Sequence, residues 1–396
     1  MAPTKPKNKS KDKARDRARA KAAVQTPNVN PRELLNQATS SLEEGDPETA
    51  ARIALVAYEH IREDGRQAGA ALSLLGQIHV ELGDVDAARA FFLAAVKVDE
   101  DGSLPEDVGG GPEKFLWLAQ LNDEGGQDSV SWFDRGAAAL RSQIQTLTDS
   151  LESRPLTRDA QEAVIAEKRE RLAETLCAVA EVYMTDLSWE EDAEQRCEAL
   201  ITEATMLAPE SAETWQTVAN VRISQARTEE AQEALKRSLG LWVDLTPEDP
   251  GVPPFPARVS LVRLLIEVDM EEQAREVTGR LVSEDDRSVE ALYLGSYSRY
   301  RLGEKLKNQG QPSDAETWKA LWRSSRKWLT RCLKVFKQEE YEDERLREHA
   351  NELLESIKSE LGEPAEDGED EDEWDDTDEE EWEGLDDGDE DTDMKS

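Results

Sequence analysis

The sequence has little of what catalytic and metal-binding sites are usually built from. It holds three histidines and three cysteines in 396 residues. Cys177, Cys197 and Cys332 are too few and too scattered for a disulfide framework. Each falls in a helical pattern, which predicts reduced, mostly buried thiols and a cytosolic or nuclear setting. No cysteine lies near a second cysteine or a histidine at metal-ligand spacing. His79 occupies an aromatic packing position, while His60 and His349 stand alone on polar helix faces. No GxxxxGK[ST] is present, and no GxGxxG follows a strand. Gly109-Gly110-Gly111 runs into Pro112 and Glu113, with no Lys or Ser/Thr placed to hold a nucleotide. These absences lead us to expect no enzyme activity, no cofactor and no metal.

Long apolar runs are missing too. No window approaches the roughly 18 consecutive apolar residues of a membrane helix, and no apolar stretch follows the Lys-rich N-terminus, so neither a membrane span nor a signal peptide is expected. Period-two alternation, the mark of strands, is absent. Apolar residues instead recur at three- and four-residue spacing from about Pro31 to Leu361, among abundant Ala, Leu, Glu, Gln and Arg. Three segments follow: a basic, disordered segment over 1–30, a helical body over 31–361, and a disordered acidic tail over 362–396 that has too few apolar residues to offset ordering entropy.

Positive charge is in short supply. The net charge is −40. Residues 1–30 carry about +7 and residues 363–396 about −20, which leaves about −27 on the body. So acidic a surface repels phosphate backbones and anionic lipid, which argues against direct nucleic-acid or membrane binding and for a basic protein partner. The segment Lys5 to Lys21 suits either an import signal, which would add the import machinery as a partner, or transient pairing with the acidic body. Trp374 and Trp382 sit within the acidic tail and suit short aromatic anchors on a partner surface, or a tail that only solubilises.

What is present is a repeat. Leu72, Leu75-Gly76, His79, Gly83, Ala88, Phe92 and Ala95 follow the tetratricopeptide (TPR) pattern, in which small residues let two antiparallel helices approach closely. Trp215, Val218-Ala219, Ala231, Leu235 and Ser238 give a second good match, preceded by the helix-breaking Pro209. Weaker copies cover 33–62, 113–150, 172–208, 258–285 and 289–335, the last with a long turn expected from Gly303 to Ser313. A closing helix at 340–360 caps the open apolar face. The fold class is therefore all-α, a TPR superhelical solenoid of about seven helix pairs plus a cap. The stretches 102–112 and 246–256 read as loops between repeats. Most tryptophans, Trp215 and Trp328 among them, fall on apolar faces.

In such a solenoid the first helices of successive repeats line a concave groove. The groove-facing positions are Gln77 and Val80 in the second repeat; Glu113, Gln120 and Asp123 in the third; Glu174, Glu181 and Met184 in the fourth; Glu213, Gln216, Asn220 and Ile223 in the fifth; and Arg263 and Ile266 in the sixth, with carboxylates and amides concentrated in the middle repeats. A wall of carboxylates and amides suits a basic, extended segment. It has the wrong sign for the acidic peptide tails that cationic TPR grooves hold.

The whole layout resembles one family, the fungal dedicated assembly chaperones of large-subunit ribosomal protein four. The resemblance rests on the short basic N-terminus, the repeats at Leu75-Gly76 and Trp215, and the acidic tail with its two tryptophans. It covers nearly the whole chain. It implies capture of a newly made ribosomal protein, shielding of its basic internal loop, and delivery to ribosomal RNA in the nucleus, with residence in cytoplasm and nucleus. A TPR-type histone chaperone and a non-catalytic scaffold subunit are the alternative readings.

Overall fold

The computed structural model of the chain describes residues 30–61, 68–153, 158–311 and 314–362. The basic segment with Lys5 to Lys21 and the tail with Trp374 and Trp382 lie outside the described residues. Among those described, fifteen α-helices and no strand are found. They pair as antiparallel hairpins: α1 (Pro31–Glu43) with α2 (Pro47–Ile61), α3 (Ala68–Glu81) with α4 (Val85–Val98), α5 (Glu113–Gln120) with α6 (Gly126–Ser153), α7 (Arg158–Met184) with α8 (Ala193–Leu207), α9 (Ala212–Ser224) with α10 (Thr228–Gly240), and α11 (Phe255–Glu267) with α12 (Glu271–Glu284). These six hairpins belong to one compact unit that ends at Glu284. A second unit begins at Asp285 and contains α13 (Val289–Gln309), α14 (Ala315–Gln338) and α15 (Glu344–Leu361).

The helices start where the chain offers a cap. The side chains of Asn30, Asp84, Ser211, Ser288 and Asp343 each accept from a backbone N–H in the first turn of the helix that follows, satisfying donors that have no intrahelical partner. Four hairpins turn in the same way. Gly45, Gly83, Ala226 and Asp269 all adopt positive φ, and in each turn the next N–H closes onto the carbonyl five residues earlier, as from Asp84 to His79 and from Arg227 to Arg222. Only the first two are glycines, so glycine spacing marks only half of these turns.

Close approach within a repeat depends on small residues. A Cβ on Gly76 of α3 would lie 2.6 Å from the ring of Phe92 on α4, and Phe92 is fully buried. Gly76→Ala should therefore destabilise by about 1–3 kcal/mol, the usual cost of overpacking. Urea unfolding checks this, and Phe92→Leu in the same background should recover part of the loss. An unchanged midpoint for the single variant would show that the ring moves aside freely.

In the second unit α15 covers one face of the α13–α14 hairpin, with Ala350, Leu353 and Ile357 packed among Trp322 and Leu329. His349 is not isolated there. Its Nδ1 is 2.7 Å from the Tyr293 hydroxyl, and its ring packs edge-on to Tyr297. The turn expected from Gly303 does not form at that residue. Gly303 lies inside α13, where Trp322 presses against it, and the helix ends only at Gly310, which has positive φ. A glycine that admits a bulky neighbour and one that ends a helix look alike in sequence. Trp328 is buried, whereas Trp215 is partly exposed and donates its indole N–H to the Pro209 carbonyl at 2.9 Å. All three cysteines are free and buried.

Candidate functional site

The first helices α7, α9 and α11 pack against one another in sequence, so their outward residues form one continuous wall. The most developed part lies between α7 and α9. There Glu174, Cys177, Ala178 and Glu181 of α7, Ser211 at the α9 cap, and Glu213, Thr214 and Thr217 of α9 line an open pocket of about 180 Å³. Three of the sequence-predicted groove residues, Glu174, Glu181 and Glu213, thus converge on one concavity.

Their electrostatics follow from their surroundings. The Glu213 pKa is raised by partial burial, then by the like charges of Glu174 and Glu170. The Glu181 pKa is raised by loss of hydration, although the residue itself is exposed. Neither has an ion-pair partner among the described residues. The Cys177 thiol is pushed up to about 11, mainly by burial, so it stays protonated at neutral pH and offers the pocket a polarizable but unreactive lining. The pocket therefore presents hydroxyls and underhydrated carboxylates, a set that accepts hydrogen bonds from ammonium and guanidinium groups.

The remaining predicted residues are distributed differently. Glu113 opens α5 and forms a two-pronged pair with Arg171 of α7, at 3.1 and 2.8 Å. The same guanidinium reaches Glu174 at 2.8 Å, and these two carboxylates raise the Arg171 pKa. Arg171 therefore offsets part of the charge of two wall glutamates. The sequence reading missed it because the copy it recognised starts at residue 172, whereas α7 begins at Arg158; its one signal was the i, i+3 spacing to Glu174. Gln77 is half-buried on α3, Gln120 is exposed at the end of α5, and Asp123 lies beyond that helix in the exposed turn. Gln216 lies inside the wall rather than on it. It is only 7% exposed, and its amide Nε2 has no hydrogen-bond partner. Asn220 is half-buried on α9.

The stretch 102–112 is more than a connection. Its 3₁₀ turn, Glu106–Val108, packs on the start of α3, where Val108 and Gly109 stand against Gly69 and Ala70. Asp99, 4% exposed, anchors it by accepting from the N–H groups of Leu104 and Gly111 and from Lys114 Nζ at 2.7 Å. Glu106 then pairs with Lys168 of α7, and Asp107 with Arg32 of α1. The insert thus ties three first helices together. The stretch 246–256 is likewise held internally: Arg258 donates to the Pro253 carbonyl, and Arg280 donates just ahead of it to those of Val243 and Leu245.

Among the described residues no group of His, Cys, Asp and Glu could hold a metal ion, and no helix is long and apolar enough to cross a membrane.

Comparison with known proteins agrees with this architecture. A tetratricopeptide-repeat family model matches residues 70–101, which hold the α3–α4 hairpin. A protein of Emericella nidulans named probable assembly chaperone of rpl4 is 45% identical over 333 residues, 82% of this chain and 81% of its own. A Schizosaccharomyces pombe protein of the same name is 34% identical over 293 residues, 74% of this chain and 80% of its own. A solved structure of residues 1–338 of an assembly chaperone of RpL4 (Acl4) superposes with a TM-score of 0.67 at 76% identity, covering 72% of this chain and all of that one. The helical hairpins of the described residues, together with identity over most of the length of both relatives, place this chain in the TPR family of rpl4 assembly chaperones.

Proposed function

We propose that the chain is a dedicated, non-catalytic chaperone that holds a basic, extended segment of newly made large-subunit ribosomal protein four against its acidic first-helix wall. It keeps that client soluble and delivers it for assembly of the large ribosomal subunit, moving between cytoplasm and nucleus. The names of the relatives support the choice of client. The observation that carries the mechanism is the convergence of Glu174, Glu181 and Glu213 on one open pocket.

The mechanism is electrostatic relief. Free ribosomal proteins are rich in Lys and Arg and bind phosphate indiscriminately. The wall competes for the same cations with carboxylates held in place by helices, so little ordering entropy is lost on binding. Glu181 and Glu213 carry an electrostatic cost in the free protein, since partial burial raises the pKa of both and like charges add to the rise at Glu213. An arriving cation removes that cost.

The sign of the pH dependence follows. In the free protein these two groups hold protons more tightly than an ordinary glutamate at 4.5. A bound cation lowers their pKa, so binding releases protons. Affinity should be full above the raised values and should fall as pH drops through them. Calorimetric titration of the full chain with the client at pH 7.5 and at about pH 5 tests this. Binding should weaken severalfold at the lower pH and also with added salt. Equal or stronger binding under both conditions would rule the wall out as an ionic surface.

A further inference from the structure

The wall presents its glutamates to any cation, and one strongly cationic segment is tethered to it. Resting on the reading of that wall as a cation-binding surface, we infer that the chain's own segment Lys5 to Lys21 occupies the Glu174–Glu181–Glu213 face when no client is present, and that the client must displace it.

The first observation is periodicity. Lys5, Lys7, Lys9, Lys11, Lys13, Arg15, Arg17, Arg19 and Lys21 occupy every second position without a gap. In an extended chain, side chains alternate between two faces, so all nine cations share one face, while Pro6, Asn8, Ser10, Asp12, Ala14, Asp16, Ala18 and Ala20 share the other. In a helix the same positions would lie about 200° apart in succession and surround the axis, leaving no cationic face. The pattern is that of an extended ligand with one charged edge.

The spacing also fits. Alternate residues of an extended chain repeat about every 6.6–6.8 Å. Glu170 and Glu174 on α7 are one turn apart, about 6 Å along the helix, and Glu174 and Glu181 about 10 Å. Glu213 stands on a neighbouring helix, where axes typically lie about 8–10 Å apart. These separations are of the same order as the repeat of the cations, and long Lys and Arg side chains take up the remaining differences.

The attachment point is favourable. The segment joins α1 at Asn30. Arg32 meets Asp107 of the insert, and the adjacent Glu106 pairs with Lys168 of α7, about one and a half turns before Glu174. Residues 22–29 span at most about 28 Å. A tether of that length gives Lys21 and the cations before it a high effective concentration at the wall, where Glu181 and Glu213 have no ion-pair partner among the described residues. The acidic tail offers more charge, so it is the rival occupant that the test must separate from the wall, whose carboxylates are held in place by packed helices and bind with little loss of ordering entropy.

The test uses the full chain and a full-length variant in which all nine cations become Gln. The probe is a fluorescent twenty-residue peptide of alternating Arg and Ala, titrated at low salt. With its internal competitor removed, the variant should bind the probe about tenfold tighter. In the free natural chain, carbodiimide should join lysines of the segment to Glu174, Glu181 or Glu213 by amide bonds with loss of water. Mass spectrometry should find these links suppressed by excess probe. Equal affinity of the two chains would overturn the inference. So would links confined to the tail, or an affinity gain that disappears once residues 363–396 are removed, because the tail would then be the occupant. Adding Glu174→Lys, Glu181→Lys and Glu213→Lys to the Gln variant separates the two claims. If probe binding survives that change, the wall reading itself fails. If it is lost while the Gln changes alone have no effect, the wall reading stands and only the self-occupancy fails.

Discussion

Reversing Glu174, Glu181 and Glu213 to Lys together should abolish client binding while leaving the helical fold intact. An exposed ion pair contributes about 0.2–1 kcal/mol. Reversal exchanges an attraction for a repulsion, so each site changes by up to about twice that amount. Partial burial around Glu213 and Glu181 places both toward the upper end. Three sites then sum to roughly 3–4 kcal/mol, a loss of several hundredfold in affinity. Glu174→Lys sets an ammonium beside Arg171, but Glu113 keeps its two bonds to that guanidinium, so the wall should survive. A pull-down of the client, with far-UV circular dichroism as the check on folding, gives the result. The control reverses Glu229, Glu233 and Glu194, exposed carboxylates on second helices, and should bind as the natural chain does. If the control loses the client while the wall variant retains it, the client uses the other face.

Removing the carboxylate of Asp99 should be the most damaging single change to stability. Lys114 Nζ has two acceptors, Asp99 and the Gly111 carbonyl, and is almost wholly buried. Burial already lowers the Lys114 pKa, with Asp99 opposing the shift. Asp99→Ala leaves a buried ammonium without its counter-charge, which costs about 3–5 kcal/mol. It also orphans the N–H groups of Leu104 and Gly111. At roughly 2–4 °C per kcal/mol for a unit of this size, the melting temperature should fall by about 10 °C. Asp99→Ala with Lys114→Met should recover the charge component but not the cost of the two amides. A melting temperature within a degree of the natural chain for the single variant would show that the insert holds without its anchor. Because the insert carries Glu106 and Asp107 to α7 and α1, its release should also loosen the wall, and client affinity should fall in the single variant.

Much of the fold was legible in the sequence because helical hairpins are local. Leu72, Leu75-Gly76, Ala88 and Phe92 announce the second repeat through the spacing that a 3.6-residue period imposes, and the absence of period-two runs removes sheets from consideration. The sign of the wall could also be read, since Glu174, Glu181 and Glu213 follow from helical phase alone. Phase says which way a residue points from its own axis, but not how deeply the neighbouring helix covers it. Only tertiary packing buried Gln216, set Asp123 in a turn beyond a short α5, and brought Arg171 across to Glu113 over 58 residues of sequence. The turns at Ala226 and Asp269 were hidden for a related reason: alanine gives no warning of the positive φ it adopts there, and aspartate only a weak one. The charge of the surface and the periods of the helices belong to the sequence, because each residue carries them with it. Which of the wall charges find an ion-pair partner among the described residues was decided by the meeting of α5, α7 and α9, because pairing depends on distances between helices that no single helix specifies.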